Sequence, residues 1–333
     1  MRILVVGGAG YIGSVVSRRL LAAGHELVVA DNLSTGHRDA VAPGAPLVQV
    51  DVRDRDALAG LLRSGFDAVM HFAARSLVGE SETKPELYWD NNVGGTRCLL
   101  DAMRNTGVRR LVFSSTASTY GEPESIPVDE DARVKPTSAY GSSKLAADMM
   151  LGDEARAHGL QAVSLRYFNV AGAVEDAGER HQPETHLIPN VLSVAAGRAP
   201  FLTLFGDDYP TADGTCIRDY LHVNDLASAH LLALVTMAEG GDDEARRHRI
   251  YNLGNGAGFS VLEIIATARR VTGAPIPVRV VSRRQGDPAV LVASSRRIHE
   301  ELGWTPKQPS LEEIIGDAWT FMCRQGTAEN MEQ

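Results

Sequence analysis

The chain has 333 residues, 44% of them hydrophobic, which suits one large domain or two unequal ones around a substantial core and argues against disorder. Its formal net charge of -9 argues against nucleic acid or an anionic membrane surface as partner, because both select basic surfaces. Three isolated cysteines, Cys98, Cys216 and Cys323, suggest neither a disulfide framework nor a zinc ligand set, so no metal is expected and a reducing cytoplasm fits.

The chain opens on "MRILVVGG", an apolar run too short for a signal segment or a membrane span, and it reads as a strand. Further short apolar runs follow: "ELVVAD", "PLVQVDV", "DAVMHFAA", "RLVFSS" and "AVSLRYFNV". Continuous runs of this kind suit strands buried on both faces. Between the first two, Ile12, Val15, Val16, Leu20 and Ala23 recur at helical spacing, and Gly24 can end that helix. Strand and helix alternation over about 170 residues predicts a Rossmann-type, doubly wound parallel sheet with helices on both faces.

In "VVGGAGYIGS", Gly7, Gly10 and Gly13 lie between a strand and a helix. Glycines there permit a tight turn and close approach of backbone to a pyrophosphate, while the helix start at Tyr11 and Ile12 offers unpaired N–H groups. The second strand ends at Asp31, followed by Asn32, and a carboxylate there can accept from an adenosine ribose while disfavouring a 2′-phosphate. NAD rather than NADP is therefore expected. The third strand runs into Asp51 and Val52 and the fourth into Phe72, Ala73 and Ala74, all at strand ends that face a bound dinucleotide. His71, closing an apolar strand, reads as a packed residue.

The fifth strand ends in "VFSSTASTYG", which brings Ser114 and Thr116 to the same edge. In "SAYGSSK", Tyr140 and Lys144 lie four residues apart, side by side on one helix face if the segment is helical. An ammonium group so placed could lower the phenol's pKa toward neutrality. Hydroxyl, phenol and ammonium converging on a nicotinamide suit alcohol and ketone interconversion by hydride transfer.

"GGAGYIG", "SSTASTYG" and "YGSSK" resemble the extended short-chain dehydrogenase/reductases. Further motifs, "NNVGGT", "RYFNVAGA", "THLIP", "FGDDYPTADGTCIRDYLHVNDLA", "YNLGNG" and "RRQGDPA", are similar in order and spacing to the UDP-glucose 4-epimerase family across nearly the whole chain. The resemblance implies Thr116 as the active-site hydroxyl, Tyr140 as acid/base and Lys144 as its partner. Asn92 and Phe168 would line the nicotinamide pocket. Asn169, Arg218 and Arg284 would meet the substrate diphosphate, a sensible task for two guanidinium forks. His186 and Leu187 would face the nucleotide, Phe205 the uracil, Asp287 a ribose, and Leu291 the sugar. Relatives often carry a lysine four or five residues after the histidine of "HFA"; here Arg75 and Ser76 stand there, and either Arg75 substitutes or the contact is missing.

The implied reaction is epimerisation of a UDP-hexose at C4, interconverting UDP-galactose and UDP-glucose with tightly held NAD, with N-acetylated sugars also admissible at Leu291. Dehydratases of the same superfamily place an Asp-Glu pair after the hydroxyl residue, where this chain has Ala117 and Ser118, neither able to transfer protons at neutral pH. A net sugar oxidoreductase or lyase and a non-catalytic nucleotide sensor are the alternatives. Residues 1–171 are expected to form the NAD-binding domain, with some later segments returning to it, and 172–333 a smaller mixed α/β nucleotide-sugar domain. There, Ser260 and Ser310 should cap two helices. A homodimer is implied by the resemblance alone. The stretch 240–249, "GGDDEARRHR", reads as a polar surface loop.

Overall fold

The computed structural model describes residues 1–239, 247–284 and 287–331. Seven parallel strands form the main sheet: β1 (Arg2–Val6), β2 (Glu26–Asp31), β3 (Leu47–Gln49), β4 (Ala68–His71), β5 (Arg110–Thr116), β6 (Gln161–Tyr167) and, from much later in the chain, a strand at His248–Leu253. The order runs from that last strand through β6, β5, β4 and β1 to β2 and β3, so the sequence direction reverses between β1 and β4. A crevice at such a switch point is where doubly wound sheets bind ligands.

The apolar runs are continuous because both faces of the sheet are covered. Ile3 and Val5 point to one face, packing with Val15, Val16 and Leu20 of α1 (Tyr11–Ala22). Leu4 and Val6 point to the other, against Leu58 and Leu62 of α2 (Arg55–Leu62). Two short helices, α3 (Val78–Thr83) and α4 (Pro85–Tyr88), lead through a π-helical turn, Trp89–Gly94, into α5 (Gly95–Thr106). Helix α6 (Ala139–His158) closes the same layer.

The run "AVSLRYFNV", expected as one strand, is two. β6 stops at Tyr167, and β7 (Asn169–Ala171) joins a different sheet, beside β9 (Ile217–His222). The break falls at Phe168, whose N–H reaches back to Leu253 O at 3.2 Å while its ring is buried. α7 (Leu187–Ala195) and β8 (Leu202–Phe205) lie between β7 and β9, and α8 (Val223–Glu239) returns to pack beside α1 under the main sheet. The strand at His248–Leu253 is β10, so His248 and Arg249 of the expected polar loop are strand residues, and 240–246 lie outside the described residues.

β11 (Gly258–Ser260) and β13 (Val290–Leu291) flank β9, and β12 (Val278–Val281) pairs with β8. α7, α9 (Val261–Thr272) and α11 (Leu311–Met331) share a second core around Ile188, Ile264 and Ile315, and α10 (Arg296–Leu302) packs against β10. Ser260 caps α9 through a reciprocal box with Glu263, whereas Ser310 reaches the Glu313 N–H only at 3.5 Å. No helix among the described residues is long and apolar enough to cross a membrane.

Candidate active site

One cleft of about 1600 Å³ opens at the switch point and runs from the glycine loop to β9 and β13. That exceeds the roughly 300–1,000 Å³ of an ordinary single-ligand pocket and leaves room for two ligands. Of the residues expected at the site, all but Asp51 and Asn92 line it.

At the sheet end, two of the three glycines, Gly7 and Gly13, are required sterically, whereas a Cβ on Gly10 would meet only the Gly7 O at 3.5 Å. Gly7 has φ +85°, and a Cβ there would sit 2.4 Å from the Ala73 N; a Cβ on Gly13 would sit 2.2 Å from the Gly7 O. Helix α1 begins at Gly10 without a side-chain cap, so its first N–H groups face the cleft beside a backbone bared by glycine. This cradle fits a dinucleotide's pyrophosphate. Asp31 receives the Ala9 N–H at 2.9 Å and the Leu33 N–H at 2.8 Å, which fixes its carboxylate and leaves acceptor capacity toward the cleft. Asp51 instead accepts from Asn32 Nδ2 at 2.9 Å and pairs with Arg53, whose hydrogen bonds hold its pKa far below the usual carboxylate range.

Asn92 is buried behind the wall. Its amide receives the Arg75 N–H at 2.8 Å and donates to Arg75 O and Ser143 Oγ, both at 3.0 Å, so it pins the loop that carries Arg75 rather than lining the pocket itself. Arg75 lines the cleft with its guanidinium 3.1 Å from Glu80 Oε2.

The segment "SAYGSSK" is the start of α6, capped by Ser138 Oγ accepting the Gly141 N–H at 3.1 Å. Tyr140 and Lys144 do share a face, and it is the buried face, with side chains turned into the cleft. Lys144 donates to Ser114 O at 2.7 Å and lies 4.7 Å from the centre of the Phe113 ring. Burial lowers its pKa to about 8, against the attraction of Asp148. The phenol behaves otherwise than expected. Burial raises the Tyr140 pKa, and the one group that lowers it is Thr116, through a hydrogen bond, because desolvation outweighs an ammonium aimed at a carbonyl. His71 is packed, as read: its Nε2 meets Thr96 Oγ1 at 3.1 Å, and burial pushes its pKa down to about 3, so it is neutral.

At the far end, Arg218 of β9 donates to Ile217 O at 2.7 Å and pairs with Asp287, so the carboxylate expected on a ribose holds an arginine here. Arg284 stacks 4.0 Å over the Phe205 ring, making one unit of two residues expected to act separately. Asn169 hydrogen-bonds the Tyr220 phenol. Leu291 lies opposite Arg218 in register and packs in the cluster that contains Phe168. Helix α7 starts at Leu187 with no side-chain cap from His186, leaving a second bare helix N-terminus on the cleft.

Several residues were missed. Tyr167 places a second phenol on the cleft, hydrogen-bonded to Ser114. Gly141 lets α6 touch the preceding turn. Glu179, His181 and Glu184 gather around His186, and the spacing Glu-x-His-x4-His was the signal for them.

Residues 3–254 match the model of the NAD dependent epimerase/dehydratase family. A UDP-glucose 4-epimerase of Streptomyces lividans is 58% identical over 320 residues, 96% of this chain and 95% of its own length. The crystal structure of UDP-glucose 4-epimerase from Brucella ovis in complex with NAD superposes with TM-score 0.92 at 46% identity, covering 96% of this chain and 98% of that one. That of UDP-glucose-4-epimerase from Stenotrophomonas maltophila, with bound NAD and formylated UDP-arabinopyranose, gives 0.93 at 41% identity, covering 98% and 99%.

Proposed function

The chain belongs to the NAD-dependent epimerase/dehydratase family, and from that premise we propose that it inverts C4 of UDP-hexoses, interconverting UDP-galactose and UDP-glucose. The observation that carries this reading is one continuous cleft with the Thr116–Tyr140–Lys144 group between a glycine cradle and a pair of arginines. Bound NAD supplies a hydride acceptor and donor at C4 that is regenerated in each cycle.

The chain's own residues do the rest. Thr116 holds the 4-oxygen while Tyr140 removes its proton, and Tyr140 returns that proton to the same oxygen once the ketone has turned its opposite face to the cofactor. Lys144, donating to Ser114 O, keeps further N–H groups for the cofactor ribose and places positive charge near the phenol. Asn169, Arg218 and Arg284 anchor the diphosphate, so the 4-keto hexose can turn against the apolar wall at Leu291 and Phe168 without leaving. Ala117 and Ser118 follow Thr116, and no carboxylate is there to expel water from the sugar.

Proton NMR of the anomeric region tests this. The purified protein, given UDP-galactose and no NAD, should yield the gluco epimer and reach the same ratio from either direction; an unchanged spectrum even with added NAD sinks the reading. UDP-N-acetylgalactosamine in a parallel tube tests whether Leu291 admits the larger sugar. We assign the protein to the cytoplasm as a homodimer, by its isolated cysteines and by analogy with the family, and light scattering coupled to gel filtration checks the dimer.

A further inference from the structure

The cleft wall beside α7 carries a cluster that joins His186, the expected nucleotide contact, to Glu179 and His181, which the proposed proton and hydride transfers do not use. Glu179, His181 and His186 each offer one ligand atom, and the three atoms lie within 4.8 Å of one another. His181 Nδ1 is 2.5 Å from Glu179 Oε1, and His186 Nδ1 is 3.8 Å from Glu179 Oε2. The segment is held in place: a Cβ on Gly178 would fall 2.4 Å from the Phe321 ring, and the His181 N–H donates to Glu179 Oε1 at 2.8 Å. Glu184 supports His186 from outside, 2.8 Å from its Nδ1.

We propose that Glu179, His181 and His186 form a site for a divalent transition-metal ion of the zinc class on the wall of the cleft. Two imidazoles and a carboxylate are the donor set such ions prefer, whereas magnesium and calcium take oxygen ligands. Tetrahedral ligands lie roughly 3.4 Å apart, a spacing these atoms reach by small side-chain adjustments. Glu179 is 13% exposed and His186 44%, so the carboxylate end is closed and the remaining positions open toward the cleft. Glu184 lies 2.8 Å from the same His186 Nδ1, so metal binding through that nitrogen replaces the hydrogen bond to Glu184.

This site stands on its own residues and does not depend on the epimerase reading. The test uses the untagged full chain, stripped with chelator and given no nucleotide sugar. Dialysis against Zn²⁺ should leave one equivalent by elemental analysis, and Co²⁺ should develop the visible bands of a four- or five-coordinate centre. Both His181→Ala and Glu179→Gln should weaken binding at least about tenfold, with circular dichroism confirming their fold. The more conservative Glu179→Gln decides the matter if the other variant unfolds. Metal well below one equivalent in the wild type, as for a cluster held by protons alone, overturns the proposal; so does metal that Glu179→Gln retains undiminished.

Discussion

Tyr140 and Lys144 show how one environment sets two groups against their resting chemistry. Burial raises the phenol and lowers the ammonium, so the free protein holds a tyrosine reluctant to ionise beside a lysine whose pKa is about 8. Removing the phenol oxygen with Tyr140→Phe should cost about 10²–10⁴ in kcat, while the purified variant still releases one NAD per chain on denaturation. A fully active variant would refute the acid/base role. Lys144 allows a sharper test. Its pKa falls from 10.5 to about 8 on folding, so between those values the unfolded chain binds the extra proton and stability rises with pH. Below pH 8 the buried charge costs about 3 kcal/mol, less about 1 for its hydrogen bond to Ser114. The NAD-free Lys144→Met protein should therefore be roughly 2 kcal/mol more stable than wild type at pH 7, and inactive. That margin should shrink as pH rises from about 8 toward 10.5, read by denaturant titration at several pH values; a margin independent of pH contradicts the cause given.

At the scale of elements, the position of α6 against β5 decides whether Thr116 and Tyr140 meet. A Cβ on Gly141 would lie 2.4 Å from Ser118 O, so the helix start rests directly on the turn that follows Thr116. Gly141→Ala must push the two apart, and displacements of about 1 Å at a reacting group can cost up to 10² in rate. We expect kcat to fall at least about tenfold, with UDP affinity by calorimetry unchanged; equal loss of both would mean a wider collapse. The same contact marks the limit of the sequence. The glycine loop, the strand runs and the Tyr-Lys pair were legible because each carries its own local signal of spacing or composition. The break at Phe168 was not, since an apolar run gives no sign that its two halves belong to different sheets. Nor was the pairing of Arg218 with Asp287, or of Arg284 with Phe205, because those partners are distant in sequence or take their geometry from strands that pair only in the fold. Asn92 was placed in the pocket by resemblance, yet its amide hydrogen-bonds the Arg75 backbone and Ser143 behind the cleft wall.

Across the whole molecule, Asp219 is one residue that ties the two sheets together. From β9 its buried carboxylate accepts the N–H groups of Asn255 and Gly256, just past β10 of the main sheet, at 2.7 and 3.1 Å, and that of Ala293, just past β13, at 3.1 Å. Asp219→Ala leaves one buried and two part-buried donors without their acceptor and should lower the unfolding free energy by about 2 kcal/mol, seen as a lower urea midpoint; an unchanged midpoint would show that the sheets are joined by other means. The cleft lies between these sheets, with the glycine cradle on its inner side and the arginines of β9 and the segment before β13 on the other. On the proposed reading, a dinucleotide in the cradle would lie behind the sugar nucleotide in this one cleft, so the protein would isolate a redox couple from the solution outside. Its electrons go only to the sugar that donated them, so the ratio of oxidised to reduced nicotinamide in the surrounding cell has no thermodynamic hold on the reaction, and the relative stability of the two hexose epimers alone sets the end point.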